Sequence, residues 1–396
     1  MSNVIVKYHN ISVESALKNN SEYVLEVAKL IDDYKIDGFE FLSFKDIIYG
    51  YDKKNFKKIF NEANKILDAN IENILILCPV IVKTQIKMAI DFLTNKNAIE
   101  KPINTFFICE GDSLDKVYDI FNKLNDKKFI IFNILFSKNN FQNIIFNIFN
   151  NSLISSQGKY NSKKYIYFGI KTSDRENFYF AKYNKFNTLV INEKFTENFS
   201  FFSYPILFIL AIYRINVEEI IKSAVEADIE FNERDTDFNE LLKYICVLRM
   251  LNKNVISIGF FEKKQESVSK FITLMFFNVV KKVAINSSYS DILTTSFHNT
   301  TMLNHFTSFQ NKLYDYDIYD DIYNEDNLAN IKTLSLNNIQ QIIKDSILEI
   351  KGNFGNTPIV EFVLKDSSSK TLSHLVIFIQ KLTLFLRYLD NKNPFF

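Results

Sequence analysis

The chain has no tryptophan, only three cysteines, almost no excess of either charge, and no long apolar run. Each shortage excludes something. Lys and Arg number 47 against 46 Asp and Glu, a formal net charge of +1 with the signs interspersed. Such a chain offers no basic field for a phosphate backbone, so nucleic acid is not an expected partner. Cys78, Cys109 and Cys246 stand apart without metal-ligand spacing. They read as isolated thiols filling small core positions in a reducing compartment, with neither a disulfide nor a metal site expected. No stretch reaches about 18 continuous apolar residues, and MSNVIVKYHN lacks the basic and then apolar pattern of a signal peptide. The expected location is cytoplasmic, with no transmembrane segment and no cofactor. The most apolar segment, FFSYPILFILAIY at 201–213, is too short to span a bilayer and is followed by Arg214, so it reads as a buried helix.

What is present is a globular composition: 396 residues, 47% hydrophobic and 23% charged, enough for two ordinary domains with separate cores. The 40 Phe and 20 Tyr are read as core filler from a biased coding sequence rather than as a recognition surface.

Short β-branched and aromatic runs alternate with segments of helical period. Strands are expected at 74–77, 104–109, 129–135, 165–170 and 187–192, with helices near 83–95, 113–124 and 139–150. Continuous apolar runs such as KKFIIFNILF imply strands buried on both faces, hence a parallel sheet between helices. Residues 214–251 read as two helices joined by a polar stretch near 229–236. A second sheet follows, with strands at NVISIGFF, at 280–286 and at 357–364, and helices around 265–277, 337–348 and 371–389. The expected fold class is α/β, two α/β/α sandwiches in tandem with mainly parallel sheets.

Several collinear segments resemble the glucose-6-phosphate isomerase family. TPIVEFVLKDSSSKTLSHLVIFIQKLTLFLRYLDNKNPFF at 357–396, FEFLSFKDIIYGYDKKNFKKIFNEANKI at 39–66 and INEKFTENFSFFSYPILFILAIYRINVEEIIKSA at 191–224 carry the likeness. The resemblance implies tandem sugar-isomerase (SIS) domains: an N-terminal helical segment at 1–54, a first SIS-like domain at 55–228 and a second at 229–396. It also implies a catalytic tail that continues past Asn-Pro-Phe in the family, where this chain reaches Phe396.

The family's isomerisation needs a carboxylate base, groups that open the sugar ring and a pocket for the phosphate. Where the family has a Gly-rich turn, this chain has LCPVIVKT at 77–84, with Pro79 and the branched Val80, Ile81 and Val82. The family's Ser-Lys-Ser-Gly-Thr-Thr-Thr phosphate loop becomes FSKNNFQN, keeping Ser137 and Lys138. The arginine of its Gly-Gly-Arg-Phe-Ser stretch falls on Asn198, and only Phe199 and Ser200 survive. Its base, in Phe-Gly-Glu-Ser-Glu-Gly-Lys, aligns with Asn278 of MFFNVVKK, and an amide does not accept a proton near neutral pH. The ring-opening histidine aligns with His298, and His305, seven residues on, would share a helical face with it.

One further segment, KLYDYDIYDDIYNEDN at 312–327, reads as a solvated loop or as a docking surface offering Tyr314, Asp315, Tyr316, Asp317, Tyr319, Asp320, Asp321 and Tyr323 to a basic partner. YIYFGIKTSDRENFYFAKYNKFN at 165–187 reads as a strand, a turn and an amphipathic helix without chemistry. Together these point to a catalytically inactive relative that acts as a structural or interaction subunit, homodimeric or within a cytoskeletal or motility assembly. The alternative is a divergent sugar-phosphate isomerase or sensor using Ser137, Lys138 and His298.

Overall fold

The computed structural model of the chain describes residues 3–94, 103–236, 238–288, 302–310, 334–354 and 357–395. Contacts divide it into two compact units, one of Met1–Lys35 with Glu226–Pro394, the other of Ile36–Val225 with Phe395. The chain opens with β1 (Val4–His9), α1 (Val13–Asp32), a single-turn α2 (Phe39–Leu42) and α3 (Lys53–Asp68). There follow β2 (Asn73–Leu77), α4 (Val80–Leu93), β3 (Asn104–Ile108), α5 (Leu114–Leu124), β4 (Phe129–Ile134), α6 (Asn140–Gln157) and a single-turn α7 (Lys159–Ser162). Then come β5 (Ile166–Ile170), α8 (Arg175–Tyr183), β6 (Asn187–Val190), α9 (Tyr204–Ile212) and α10 (Val217–Phe231). The remainder holds α11 (Glu240–Leu251), β7 (Val255–Phe260), α12 (Glu266–Met275), β8 (Val283–Ser288), β9 (Met302–Phe309), α13 (Leu336–Leu348), β10 (Ile359–Leu364) and α14 (Ser369–Leu389).

In the unit of residues 36–225 the five strands run parallel in the order β3-β2-β4-β5-β6. Every residue of β2 and β4 is buried, as their unbroken apolar sequence requires of strands covered on both faces. The period of two divides them. Leu75, Leu77, Phe129, Ile131 and Phe168 pack under Val117 and Ile120 of α5 and Ile145, Phe146 and Phe149 of α6. Phe132 and Tyr167 turn to the other face and meet Phe208 of α9 at ring-centroid distances of 5.9 and 5.5 Å. The buried-helix reading of 201–213 holds: every residue from Pro205 to Ile212 is inside. That closeness depends on Gly169, where a Cβ would stand 3.1 Å from Pro205 Cγ. Phe395 belongs to this unit, its ring packed at tilted and edge-on angles against Phe41, Phe44 and Phe199.

In the other unit the order is β1-β10-β9-β7-β8, with β1 antiparallel to β10 and the rest parallel. Two expectations are corrected here. Residues 1–54 are not a purely helical segment, because β1 completes the edge of this sheet, paired from Val4↔Leu364 to His9↔Ile359. His305 is not on a helix: it lies in β9, whose mixed polar sequence carries no strand signal and which is held by β7 on one side and β10 on the other. One face of the sheet buries Phe362 against Tyr244 of α11 and Phe378 of α14, at 5.4 and 6.0 Å between ring centroids. The opposite face places Phe306 and Ile359 under Ile347 of α13. Among the described residues one helix, α14, is long and apolar enough to cross a membrane, and 89% of its most apolar window is buried inside the fold.

Candidate functional site

All five strands of the 36–225 unit end on one edge, and the strand order reverses between β2 and β4. In open parallel sheets the crevice at such a switch point is where ligands bind. The loops after β2 and β4 form its walls. On the β2 side Pro79 caps α4 with extended ψ of 152° and no side-chain bond, followed by the exposed Val80. On the β4 side Asn139 caps α6 by accepting from Gln142 N–H at 3.0 Å. Gln142 then reaches back between the two strands. Its buried amide nitrogen lies 2.9 Å from the carbonyls of Leu77 and Ile134 and 2.7 Å from Asn133 Oδ1.

Ser137 and Lys138 are both exposed at this edge. Lys138 Nζ pairs with Glu176 Oε2 at 2.7 Å, and this hydrogen bond and charge raise its pKa above the ordinary value. Asn139 Nδ2 donates to Glu110 Oε2 at 2.9 Å. After β3, Gly111 turns at φ 87°, which lets Asp112 Oδ2 accept from Cys109 N–H at 2.8 Å and from Lys116 at 2.5 Å.

The segment 171–174, to which the sequence assigned no chemistry, forms a cradle. Thr172 Oγ1 and Ser173 N–H donate to Glu193 Oε1 at 2.8 and 2.9 Å, and Ser173 Oγ donates to Oε2 at 2.5 Å. Lys171 Nζ donates to the Glu193 carbonyl at 3.1 Å. Burial pushes the Glu193 carboxyl up, but the hydroxyl and amide donors outweigh it and its pKa is lowered. A hydroxyl-rich turn opening α8, with an acid twenty residues downstream, was the available signal.

Glu197 is the second residue that sequence reasoning missed. Burial first, and then the charge of Glu110, raise its pKa, while Lys171 opposes. A half-buried carboxyl beside a second carboxylate and an ammonium can hold or release a proton. Its backbone is pinned from below. Buried Gln85 donates to the carbonyls of Glu197 and Asn198 at 3.1 and 3.0 Å, and Ser200 Oγ donates to Gln85 Oε1 at 3.0 Å. Phe199 and Ser200, which the resemblance retains, are therefore core and scaffold, and half-buried Asn198 supplies no charge.

Because the folded pKa of Glu197 is raised, its ionised form is penalised by folding above that pKa, and the penalty vanishes below the ordinary value of 4.5. Glu197→Gln is expected to raise the melting temperature at pH 7, with the gain shrinking as the pH falls toward 4.5. Thermal melts of both proteins across that range check it, and equal midpoints at pH 7 contradict it.

In the other unit Asn278 is half-buried in the π-helical turn Phe276–Val280 that ends α12, at the amino end of β8. His305 is fully buried, with Nε2 hydrogen-bonded to the Tyr244 hydroxyl. Burial drives its pKa down to about 3 despite backbone hydrogen bonds that raise it, so it is a neutral core residue. His298 and the segment Tyr314–Tyr323 lie outside the described residues. One of the charges that this unit buries is Glu361, at the centre of β10. Its Oε1 accepts from Ser308 Oγ at 2.6 Å and Lys344 Nζ at 2.8 Å, with His9 Nε2 3.7 Å from Oε2. Among the described residues no group of three or more His, Cys, Asp or Glu side chains could hold a metal ion.

No family profile matches the chain. Among curated proteins it is 25% identical over 414 residues to glucose-6-phosphate isomerase of Mycoplasmopsis pulmonis, covering 100% of this chain and 96% of that one. Among solved structures it superposes on a hypothetical protein of Thermus thermophilus with a TM-score of 0.86 at 12% identity, covering 99% of this chain and 96% of the other. A glucose-6-phosphate isomerase from Chlamydia trachomatis gives a TM-score of 0.76 at 10% identity, covering 100% of this chain and 85% of that one.

Proposed function

From a chain that belongs with the glucose-6-phosphate isomerase-like proteins and folds as two tandem SIS-type α/β/α sandwiches of mainly parallel sheet, we propose a protein that keeps the scaffold of those enzymes without their turnover. It serves as an interaction subunit of a cytoplasmic assembly, with other proteins or a second copy as partners and no nucleic acid. The observation that carries this reading is the switch point itself, where the Gln142 side chain bridges β2 and β4 and its amide is spent on Leu77, Asn133 and Ile134 of the chain rather than offered to a ligand. The neighbouring donors support it. Lys116, Lys138, Thr172 and Ser173 are each already bound by a carboxylate of the chain itself. A sugar phosphate would have to displace those intramolecular partners while two further carboxylates, Glu110 and Glu197, stand close by.

A second reading is favoured by the place of Glu197, a half-buried carboxyl near Glu110 and Lys171 whose burial raises its pKa, which suits a general base in a divergent aldose-ketose isomerase. Two measurements separate the readings. Affinity isolation of the full chain from its native cells, with mass spectrometry, is expected to return a reproducible stoichiometric set of partners. Melting of the purified chain with glucose 6-phosphate or fructose 6-phosphate at millimolar concentration is expected to leave the midpoint unmoved. A chain that comes down alone and is stabilised by either sugar phosphate overturns the proposal.

A further inference from the structure

Two of the three cysteines are not isolated. Cys78 and Cys109 each follow the last residue of adjacent parallel strands, β2 and β3, whose register ends at Leu77↔Ile108. Cys78 N–H donates to the Ile108 carbonyl at 3.3 Å and so carries the ladder one residue further. Side-by-side positions on neighbouring strands lie about 5 Å apart between Cα atoms, inside the roughly 4.4–6.8 Å that a disulfide spans. Both thiols are buried, with 1% and 3% of their surface exposed, yet Cys109 leads directly into the exposed turn at Glu110 and Gly111. Cys246 lies in α11, in the other unit.

The geometry points to a peroxide-reactive dithiol at the carboxyl edge of this sheet, in which Cys109 is the attacking sulfur and Cys78 resolves the product to a disulfide. The two groups differ as such a pair requires. Hydrogen bonding from the Cys78 thiol holds the Cys109 pKa below the ordinary value against the effect of burial, with Lys83 and Lys116 favouring and Asp112 opposing the thiolate. Burial and its role as donor push the Cys78 thiol up. Of two adjacent thiols, the one that ionises more readily is the nucleophile and the other resolves its product.

The chemistry balances with hydrogen peroxide as the oxidant. The Cys109 thiolate attacks one peroxide oxygen, the O–O bond breaks, hydroxide leaves and Cys109 becomes a sulfenic acid. The Cys78 sulfur then attacks Cys109 Sγ, the S–O bond breaks and water leaves, carrying the Cys78 proton. Two thiol sulfurs are oxidised by two electrons in total, and one peroxide is reduced. The product ties the start of α4 to the turn that opens α5, both on the edge that carries the candidate site. In a reducing compartment such a bond is transient and reversed by thiols.

The test uses the full chain. Native protein is treated with hydrogen peroxide, unfolded, alkylated and digested with trypsin, which can cut at Lys83 and Lys87 between the two cysteines. The expected result is loss of two of the three alkylatable thiols, recovery of one cross-linked peptide pair containing Cys78 and Cys109, and return of both thiols with dithiothreitol. Cys246→Ser is expected to leave this pattern unchanged, whereas Cys109→Ser leaves Cys78 fully alkylatable. Because the wild-type map needs no substitution, poor folding of a variant does not blunt it. Retention of all three thiols, irreversible oxidation of Cys109 without the cross-link, or pairing through Cys246 overturns the inference.

Discussion

Replacing Glu361 with alanine is expected to destabilise the unit that contains β10 by about 3–5 kcal/mol, the cost of stranding a buried charge whose partner is removed. Lys344, only 14% exposed, would be left facing Ser308 and His9 without a counter-ion. Burial pushes the Glu361 carboxyl up, but the His9, Lys344 and Ser308 side chains around it overcome that and hold its pKa down to about 2, against an ordinary 4.5. A folded pKa below the unfolded one contributes stability that is complete above 4.5 and is lost as the pH falls from there toward 2. The difference corresponds to roughly 3 kcal/mol. Urea unfolding followed by circular dichroism should therefore show a steep acid loss in the wild type over that window. Replacing both partners, Glu361→Met with Lys344→Met, should recover much of what Glu361→Ala loses, because an apolar pair has no charge to strand. A Glu361→Ala protein within about 1 kcal/mol of wild type, a loss no larger than that of an average substitution, would show that the cluster is wet rather than buried.

Interconversion of glucose 6-phosphate and fructose 6-phosphate by the purified chain is expected to run at least about 10⁴-fold below an active glucose-6-phosphate isomerase assayed beside it. A positioned general base alone contributes about 10²–10⁴-fold, and Asn278 stands where the resemblance places that base. The proposed loss of the phosphate site would add to this, because Lys138, Thr172 and Ser173 are already bound by carboxylates of the chain itself. Restoring a carboxylate through Asn278→Glu is expected to change little, since Gln142 and the carboxylate-bound donors remain. The decisive result in the other direction is specific: turnover within about 10²-fold of the active enzyme that disappears in Glu197→Gln would identify Glu197 as the base.

The sequence by itself determined the class of fold and the run of elements wherever hydrophobic period was strong. KKFIIFNILF could only be a strand covered on both faces, and β4 is buried at every residue. The apolar segment at 201–213 could only be a core helix. Likewise the capping residues Ser113, Asn139, Asp174 and Ser368 start their helices by accepting a backbone N–H, a local bond that needs no distant partner.

Tertiary structure alone decided what depends on residues far apart in the chain. β1 and β9 are strands because β10 and β7 offer them edges, and no local period in MLNHFTSF announces it. Glu361 could have been noticed as a charge in an otherwise apolar strand, but only the fold brings His9, Ser308 and Lys344 around it. Glu193 reaches its cradle across twenty residues, and Glu197 meets Glu110 only where their loops converge. Cys78 and Cys109 are thirty-one positions apart in the chain and neighbours on the sheet. Secondary structure follows from bonds and periods that span a few residues, whereas a charge cluster, an amide bridging two strands or a pair of thiols exists only once strand order has set distant loops side by side.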